Sequence, residues 1–210
     1  LGPKPRSYSY RINKKEKHSR NEAESGPRAI KNTLGRKESM ISKKMEELIN
    51  QQLNAELYSA YLYLSMSSYL EQEGLKGAAN WYFVQYKEET DHALYFYKYL
   101  LNEGGMVKCA AIDAPDADFK GLEDVLQRTL AHEQKVTSMI HGLAAAAQAE
   151  NDFRTVQFLT WFINEQAEEE TNCNDNIQKV KLAGAAGLYL IDQELGARTY
   201  AAATNPPVTL

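Results

Sequence analysis

Glutamate side chains stand at positions of this sequence where an amphipathic helix would normally place apolar ones. The stretch EETDHA, residues 88–93, puts two adjacent glutamates and a histidine within such a run. Glu89 and His92 are three residues apart, so on a helix they share a face. A buried carboxylate is costly unless a cation or a proton neutralises it. Because a Glu-x-x-His pair by itself is more often part of a solvated face, its interpretation depends on the other helices.

The other long amphipathic segments repeat this pattern. They place Glu56, Glu133 and Glu169 on inward-facing stripes, with Gln166 one turn before Glu169. Four facing carboxylates would repel one another, and two cations can neutralise them where one cannot, with Glu89 and Glu169 suited to bridging. Carboxylate-rich ligation with a single imidazole favours iron or manganese over zinc, whose structural sites prefer Cys and His. These residues therefore predict a dinuclear metal site.

Long helices are needed to position these side chains. Residues of like character recur at steps of three and four in four segments, and Gly or Asn-Asp breaks separate them. The predicted helices cover approximately residues 41–70, 78–103, 122–149 and 153–182. Gly184 is expected to close the fourth helix, and a short fifth helix is expected after Gly187.

The lengths of the connections predict the topology. Short links join the first pair and the last pair of helices, so each pair is expected to be an antiparallel hairpin. Residues 105–121 form a longer connection than is usual inside a bundle. A helix of about 26 residues is about 39 Å long, and about 17 extended residues reach at most about 56 Å. The connection can therefore cross the bundle, and the predicted fold class is an all-α four-helix bundle with one long crossover.

Charge is distributed unevenly along the 210 residues. Residues 1–39 hold eleven Lys and Arg against four Glu, whereas the remaining residues hold 13 basic and 24 acidic side chains. The acidic part argues against nucleic acid as a main partner. No apolar run reaches the roughly 18 residues of a membrane span, and the first residues lack the apolar stretch typical of a secretory signal, so we expect neither. Since Cys109 and Cys173 form no disulfide framework, we expect a reducing, cytoplasmic location.

The composition also predicts the domain organisation. Residues 1–39 have many charges and little apolar periodicity, so they cannot bury enough surface to offset their ordering entropy. We predict a flexible basic extension over residues 1–39, a diiron domain over 40–204 and a C-terminal tail over 205–210. The extension could be a cloning remnant, a leader or a genuine part of the protein. An organelle transit peptide also fits its basic and Ser residues, although its four glutamates count against that.

Five stretches carry a resemblance to a known family: LNAELYSAYLYL, EETDHA, AHEQKVT, FLTWFINEQAEEE and KLAGAAGLYLIDQEL. From Met40 to about Tyr200, the chain resembles a non-haem ferritin of the prokaryotic type. The resemblance implies a ferritin-like bundle whose subunits assemble into a hollow homo-oligomeric shell of 24. It also implies that Fe(II) is oxidised by O2 or H2O2 at a dinuclear, non-haem ferroxidase centre. The product would be stored as a ferric oxyhydroxide mineral inside the shell.

The resemblance assigns the ligands of the two irons. It implies that Glu56, Glu89 and His92 hold one iron. It implies that Glu133 and Glu169 hold the second iron, with Glu89 bridging.

The resemblance also assigns roles to residues around the two irons. Gln166 is expected close to the second iron, and Tyr63 matches a tyrosine beside the diiron pair. Tyr63 could equally be a core aromatic residue whose hydroxyl is satisfied. An additional iron position of this subfamily is matched by Glu88, Glu165 and Glu168, which would form a carboxylate patch on the cavity side.

Two differences from related proteins restrict the functions and cofactors that we expect. Symmetric diiron bundles repeat Glu-x-x-His on two helices, but the fourth helix here offers Gln166-x-x-Glu169 and no histidine. The second metal would have oxygen ligands only and would be held more loosely, which suits a site that passes its iron on. Haem-bearing bacterioferritins use a methionine after the bridging glutamate, where this chain has Thr90. We therefore expect no haem.

Rival functions on the same bundle stay open. A diiron oxidase or peroxidase would keep its metals, but it would be expected to carry the second Glu-x-x-His. A DNA-protecting mini-ferritin would bind phosphates through residues 1–39, but that family lacks a fifth helix. A display scaffold made from a ferritin cage is a third reading. Outside the metal site, we expect His132 and His141 on helix surfaces. Core and subunit contacts are expected for Tyr95, Phe96, Tyr97 and Tyr99.

Overall fold

The computed structural model describes residues 39–210. Within this range it contains helices and no strand, in agreement with the predicted all-α fold class. The helices are α1 (Lys43–Gln72), α2 (Lys76–Asn102), α3 (Leu122–Ala149) and α4 (Phe153–Gly196). Apart from Ser39, the extension predicted over residues 1–39 lies outside the described residues, so the division into domains stays a prediction. Among residues 39–210, no helix is long and apolar enough to cross a membrane.

Side-chain caps and glycines set the helix ends. The Ser42 hydroxyl accepts a hydrogen bond from the Met45 backbone N–H at 3.1 Å, which caps the start of α1. Asp152 caps α4 in the same way through the Thr155 N–H at 3.1 Å. Gly74 and Gly104 follow α1 and α2 with φ of 80° and 76°, the left-handed conformation that glycine supplies after a helix. These local signals explain why the first three helices were predicted closely.

The long connection crosses the bundle along α1, as predicted. Near its start, the Asn50 side chain donates to the Met106 carbonyl at 3.0 Å. Near its end, the Gly121 N–H donates to the Tyr69 hydroxyl at 2.8 Å. The connection therefore travels from the N-terminal end of α1 to its C-terminal end, and α3 begins at the same end of the bundle as α2. Helices α1 and α2 pair along their lengths, as do α3 and α4.

Two apolar clusters fill the interior of the bundle, and burial of their side chains stabilises it. One cluster includes Met45, Ile49, Phe96, Ile140 and Phe162. The other includes Tyr63, Met66, Tyr82, Leu126 and Ile177. Of the aromatic residues predicted in the core, Tyr95, Phe96 and Tyr99 are buried and Tyr97 is exposed. A layer of buried polar side chains lies between the clusters, and it contains the predicted metal ligands.

A separate fifth helix is not confirmed. Helix α4 is interrupted at Gly184, where φ of 55° and ψ of −171° leave the helical conformation, so two helical segments meet at a kink. Because glycine adopts positive φ at little cost, one residue supplies a kink where the sequence suggested a longer break.

The part of α4 beyond Gly184 contacts the start of α2. The Asp192 carboxylate accepts a hydrogen bond from the Ala78 N–H at 2.9 Å, so a distant residue caps α2, whose own first residues provide no side-chain cap. A Cβ atom on Gly77 would lie 1.7 Å from the Asp192 carbonyl oxygen. Only glycine therefore permits this close approach.

The C-terminal segment, residues 197–210, forms no helix and runs alongside α2. The Asn80 side chain donates to the Arg198 carbonyl at 2.9 Å, and the Tyr200 hydroxyl donates to Asp91 at 2.5 Å. Further along, residues 205–208 line a cavity together with Tyr99 and Phe158. The segment thus brings Arg198 close to the polar layer.

Candidate metal centre

Three predicted ligands from α1 and α2 converge in the polar layer. Glu56, Glu89 and His92 each offer a ligand atom, and these atoms all lie within 4.8 Å of one another. All three side chains are buried, with at most 5% of their surface exposed. His92 Nδ1 is 3.4 Å from Glu89 Oε2. Two carboxylates and one imidazole at this spacing can surround a single divalent cation.

Helices α3 and α4 supply the second half of the layer. Glu133 on α3 accepts a hydrogen bond from the Gln166 side chain at 3.0 Å, and Gln166 lies on α4. Glu169, also on α4, is buried one turn later. The Tyr63 hydroxyl donates a short hydrogen bond to Glu133. Contacts therefore join Tyr63 and Gln166 to Glu133, and the charges of Glu133 and Glu169 act on Glu89 across the layer.

The electrostatics of the layer favour a cation. Burial raises the pKa of Glu56 well above its ordinary value, and the charge of Glu89 raises it further. Burial likewise raises the pKa of Glu89, with additional repulsion from Glu133 and Glu169. Burial and the charge of Glu133 raise the pKa of Glu169 to about 8. Without a cation, burial therefore favours the protonated form of all three carboxyl groups, and a bound cation would replace their protons.

Two glutamines support the carboxylates, and the sequence analysis assigned them no role. The Gln52 side-chain N–H2 donates to Glu56 at 2.8 Å, and the Gln85 N–H2 donates to Glu169 at 2.9 Å. Both glutamines are fully buried. A signal was present, because each stands four residues before Glu56 or Glu89 on the same helical face.

The surroundings of Tyr63 refine one prediction. His132 was expected on a helix surface and is half-buried, with its Nε2 2.8 Å from the Ser59 hydroxyl and its ring edge-on to the Tyr63 ring. Burial lowers the pKa of His132 to about 4, so the imidazole is neutral at physiological pH. The packing of α1 against α3 decides this burial, which the helical period of α3 alone does not specify. His141 is exposed, as predicted.

The additional carboxylates lie beside the layer. Glu88 and Glu165 are half-buried, and Glu168 is exposed. Burial raises the pKa of Glu165, and the neighbouring Glu168 raises it further while His92 opposes the shift. Glu88 accepts a hydrogen bond at 2.5 Å from Arg198, a residue that the sequence analysis did not single out.

Comparisons with known proteins identify the family. The family profile described as a ferritin-like domain matches residues 46–183. A bacterial non-heme ferritin from Bacteroides fragilis is 40% identical over 159 residues, which cover 76% of this chain and 100% of that protein. The chain belongs to the ferritin family. A bacterial non-heme ferritin from Staphylococcus aureus is 36% identical over 163 residues, covering 77% of this chain and 98% of that protein.

Solved structures agree with this assignment. An engineered closed form of the Archaeoglobus fulgidus ferritin is 43% identical, with a TM-score of 0.75 over 77% of this chain and 99% of that one. A humanized archaeal ferritin is 41% identical, with a TM-score of 0.76 over the same shares of the two chains. The resemblance to a non-haem ferritin of the prokaryotic type is confirmed.

Proposed function

We propose that the protein oxidises Fe(II) to Fe(III) at a dinuclear centre and stores the product as a ferric oxyhydroxide mineral inside a homo-oligomeric shell. The observation that carries this proposal is the convergence of Glu56, Glu89 and His92 within 4.8 Å in a buried layer. A buried group of carboxylates with raised pKa values has no packing advantage over apolar side chains. Membership of the ferritin family and the names of the related non-heme ferritins support iron as the cation.

In the proposed centre, Glu56, Glu89 and His92 bind one iron, and Glu133 and Glu169 bind the other. Glu89 bridges the two, which is supported by the electrostatic coupling of its carboxylate to both Glu133 and Glu169. Oxygen ligands alone surround the second iron, so its Fe(III) is released more easily than one held by imidazole. This difference in ligands favours transfer of iron to the mineral over permanent retention.

The proposed reaction balances with either oxidant. Two Fe(II) ions each give one electron, and O2 takes both electrons with two protons to become H2O2. When H2O2 is the oxidant, it takes two electrons and two protons and becomes two water molecules. Iron binding displaces protons from the buried carboxyl groups, because their pKa values are raised by burial. The same residues therefore release protons on iron binding and hold negative charge for the Fe(III) product.

Neighbouring side chains keep the ligands in place in this proposal. Tyr63 and Gln166 donate hydrogen bonds to the two oxygens of Glu133, which leaves its orientation little freedom. Tyr63 also lies close enough to the centre to take part in electron transfer. The additional iron position expected at Glu88, Glu165 and Glu168 would receive Fe(III) on its way to the mineral. A shell of 24 subunits and a cytoplasmic location stay predictions.

The test is an aerobic titration of the apo-protein with Fe(II), followed by stopped-flow absorbance and light scattering. We expect a fast phase that saturates at about two irons per chain, one for each half of the centre, and then slower mineral growth in a large particle. Glu89→Ala and His92→Ala should each lose the fast phase. Glu123→Ala, which removes an exposed carboxylate of α3, should retain it.

One outcome of this titration would contradict the proposed storage function and support the alternative. If iron stayed at about two per chain in a small oligomer with no mineral, the protein would be a diiron oxidase or peroxidase that keeps its metals.

A further inference from the structure

Arg198 reaches from the C-terminal segment to the edge of the metal centre. Its Nη2 donates to Glu88 at 2.5 Å, and its Nη1 donates a short hydrogen bond to the Gln85 side-chain oxygen. The guanidinium carbon lies 4.6 Å from the centre of the Trp81 ring. Two hydrogen bonds and an aromatic face hold the planar group in one orientation, and the side chain is 25% exposed.

The contact with Gln85 extends to a proposed metal ligand. An amide side chain accepts through its oxygen and donates through its nitrogen. Because Arg198 binds the oxygen of Gln85, the nitrogen points away and donates to Glu169 at 2.9 Å. Arg198 therefore holds Glu88 directly and orients Glu169 through Gln85.

The charge of Arg198 acts on a larger set of carboxylates. Burial raises the pKa of Glu88, and the nearby guanidinium opposes that shift. It also opposes the increase that burial causes in the pKa values of Glu165 and Glu169. A guanidinium does not lose its proton in a protein. A permanent positive charge therefore stands where these carboxylates come together.

We propose that Arg198 is a built-in counter-cation of the metal centre, bound to Glu88 in the place that an additional iron would need. The inference rests on the proposed iron-binding function and deepens it. Iron can use Glu88 only after the guanidinium has moved away from it. Arg198 is a positioning residue, since it acts through Glu88 and Gln85 and touches neither of the two proposed irons.

Variants of Arg198 separate its charge from its shape. Arg198→Met keeps much of the side-chain length and removes the charge, so Glu88 becomes free. We expect binding of an additional Fe(II) to strengthen by roughly tenfold or more, because a positive charge in contact with its carboxylate has been removed. Arg198→Lys keeps the charge and should leave this binding near that of the wild type. Arg128→Met removes an arginine that pairs with two other carboxylates, Asp116 and Asp124, and it should leave the binding unchanged.

The assay is calorimetric titration of the full-length protein with Fe(II) under argon, where no oxidation follows binding. Thermal unfolding and light scattering establish that each variant is folded and assembled. The inference would be overturned if folded Arg198→Met bound the additional Fe(II) no more tightly than the wild type. It would also be overturned if Arg198→Lys gained as much as Arg198→Met, since the charge would then be irrelevant.

Glu88→Gln keeps the inference testable if Arg198→Met does not fold. It should abolish binding of the additional Fe(II), and retention of that binding would contradict the proposed role of Glu88. Failure of this inference differs from failure of the proposed function. If the wild type bound no pair of Fe(II) ions at all, the dinuclear centre itself would be wrong, whatever Arg198 did.

Discussion

Ionisation of a buried carboxyl group should make the apo-protein less stable as the pH rises. Burial and the nearby Glu133 raise the pKa of Glu169 from an ordinary value of 4.5 to about 8. Between these values the folded state holds a proton that the unfolded state has lost, so the contribution of Glu169 to stability is highest below pH 4.5 and falls until about pH 8. A shift of roughly 3.5 units at about 1.36 kcal/mol per unit corresponds to about 5 kcal/mol.

Glu169→Gln isolates this effect, because glutamine has nearly the same shape and no titrating group. Above pH 8 we expect apo Glu169→Gln to be more stable than the apo wild type by as much as about 5 kcal/mol, and the difference should vanish near pH 4.5. Urea unfolding at fixed protein concentration, from pH 4.5 to 8.5, measures it. Glu123→Gln, at an exposed position of α3, is the matched control.

The sign of the pH dependence tests whether the ionised form of Glu169 destabilises the apo-protein. If the apo wild type gained stability relative to Glu169→Gln as the pH rose, Glu169 would be a stabilised carboxylate and the layer would not favour a cation. Saturating Zn²⁺, which binds carboxylate and imidazole without oxidation, should remove most of the pH-dependent loss in the wild type.

Two further substitutions test the close approach of the C-terminal part of α4 and the support of the second iron. Gly77→Ala places a Cβ 1.7 Å from a backbone oxygen and should lower stability by about 1–3 kcal/mol in thermal unfolding. Gly142→Ala, where a Cβ meets nothing within 4 Å, should raise it by about 0.5–1 kcal/mol; a loss of equal size at both sites would argue against the approach. Tyr63→Phe removes the hydrogen bond to Glu133 and should weaken the second Fe(II) by roughly tenfold in anaerobic calorimetry. An unchanged second affinity would show that Gln166 alone suffices to hold Glu133.

Helical period was enough to predict most of the metal layer. Steps of three and four place five proposed ligands on the inward faces of their helices, and all five are buried: Glu56, Glu89, His92, Glu133 and Glu169. The prediction succeeded because the face on which a residue lies depends on its own helix, and four helices in a bundle must turn their inward faces toward one another.

The sequence did not predict the contacts that join distant parts of the chain. Arg198 and Glu88 are 110 residues apart, and Asp192 caps α2 across 114 residues. Neither pair has a spacing that a local pattern can reveal. The break at Gly184 was predicted as the end of the fourth helix. The sequence did not show that helical structure resumes directly after it, because a glycine after an apolar stripe is as typical of a helix end as of a kink.

The amino-acid sequence by itself therefore determined the helices, their inward carboxylates and the family, since each depends on residue type and local spacing. Only the tertiary structure decided that Arg198 neutralises Glu88, that Gln85 points its amide nitrogen toward Glu169 and that His132 is neutral. The physical reason is the same in each case. Charge, hydrogen bonding and burial act through space over a few ångströms, whereas a sequence pattern records only distance along the chain.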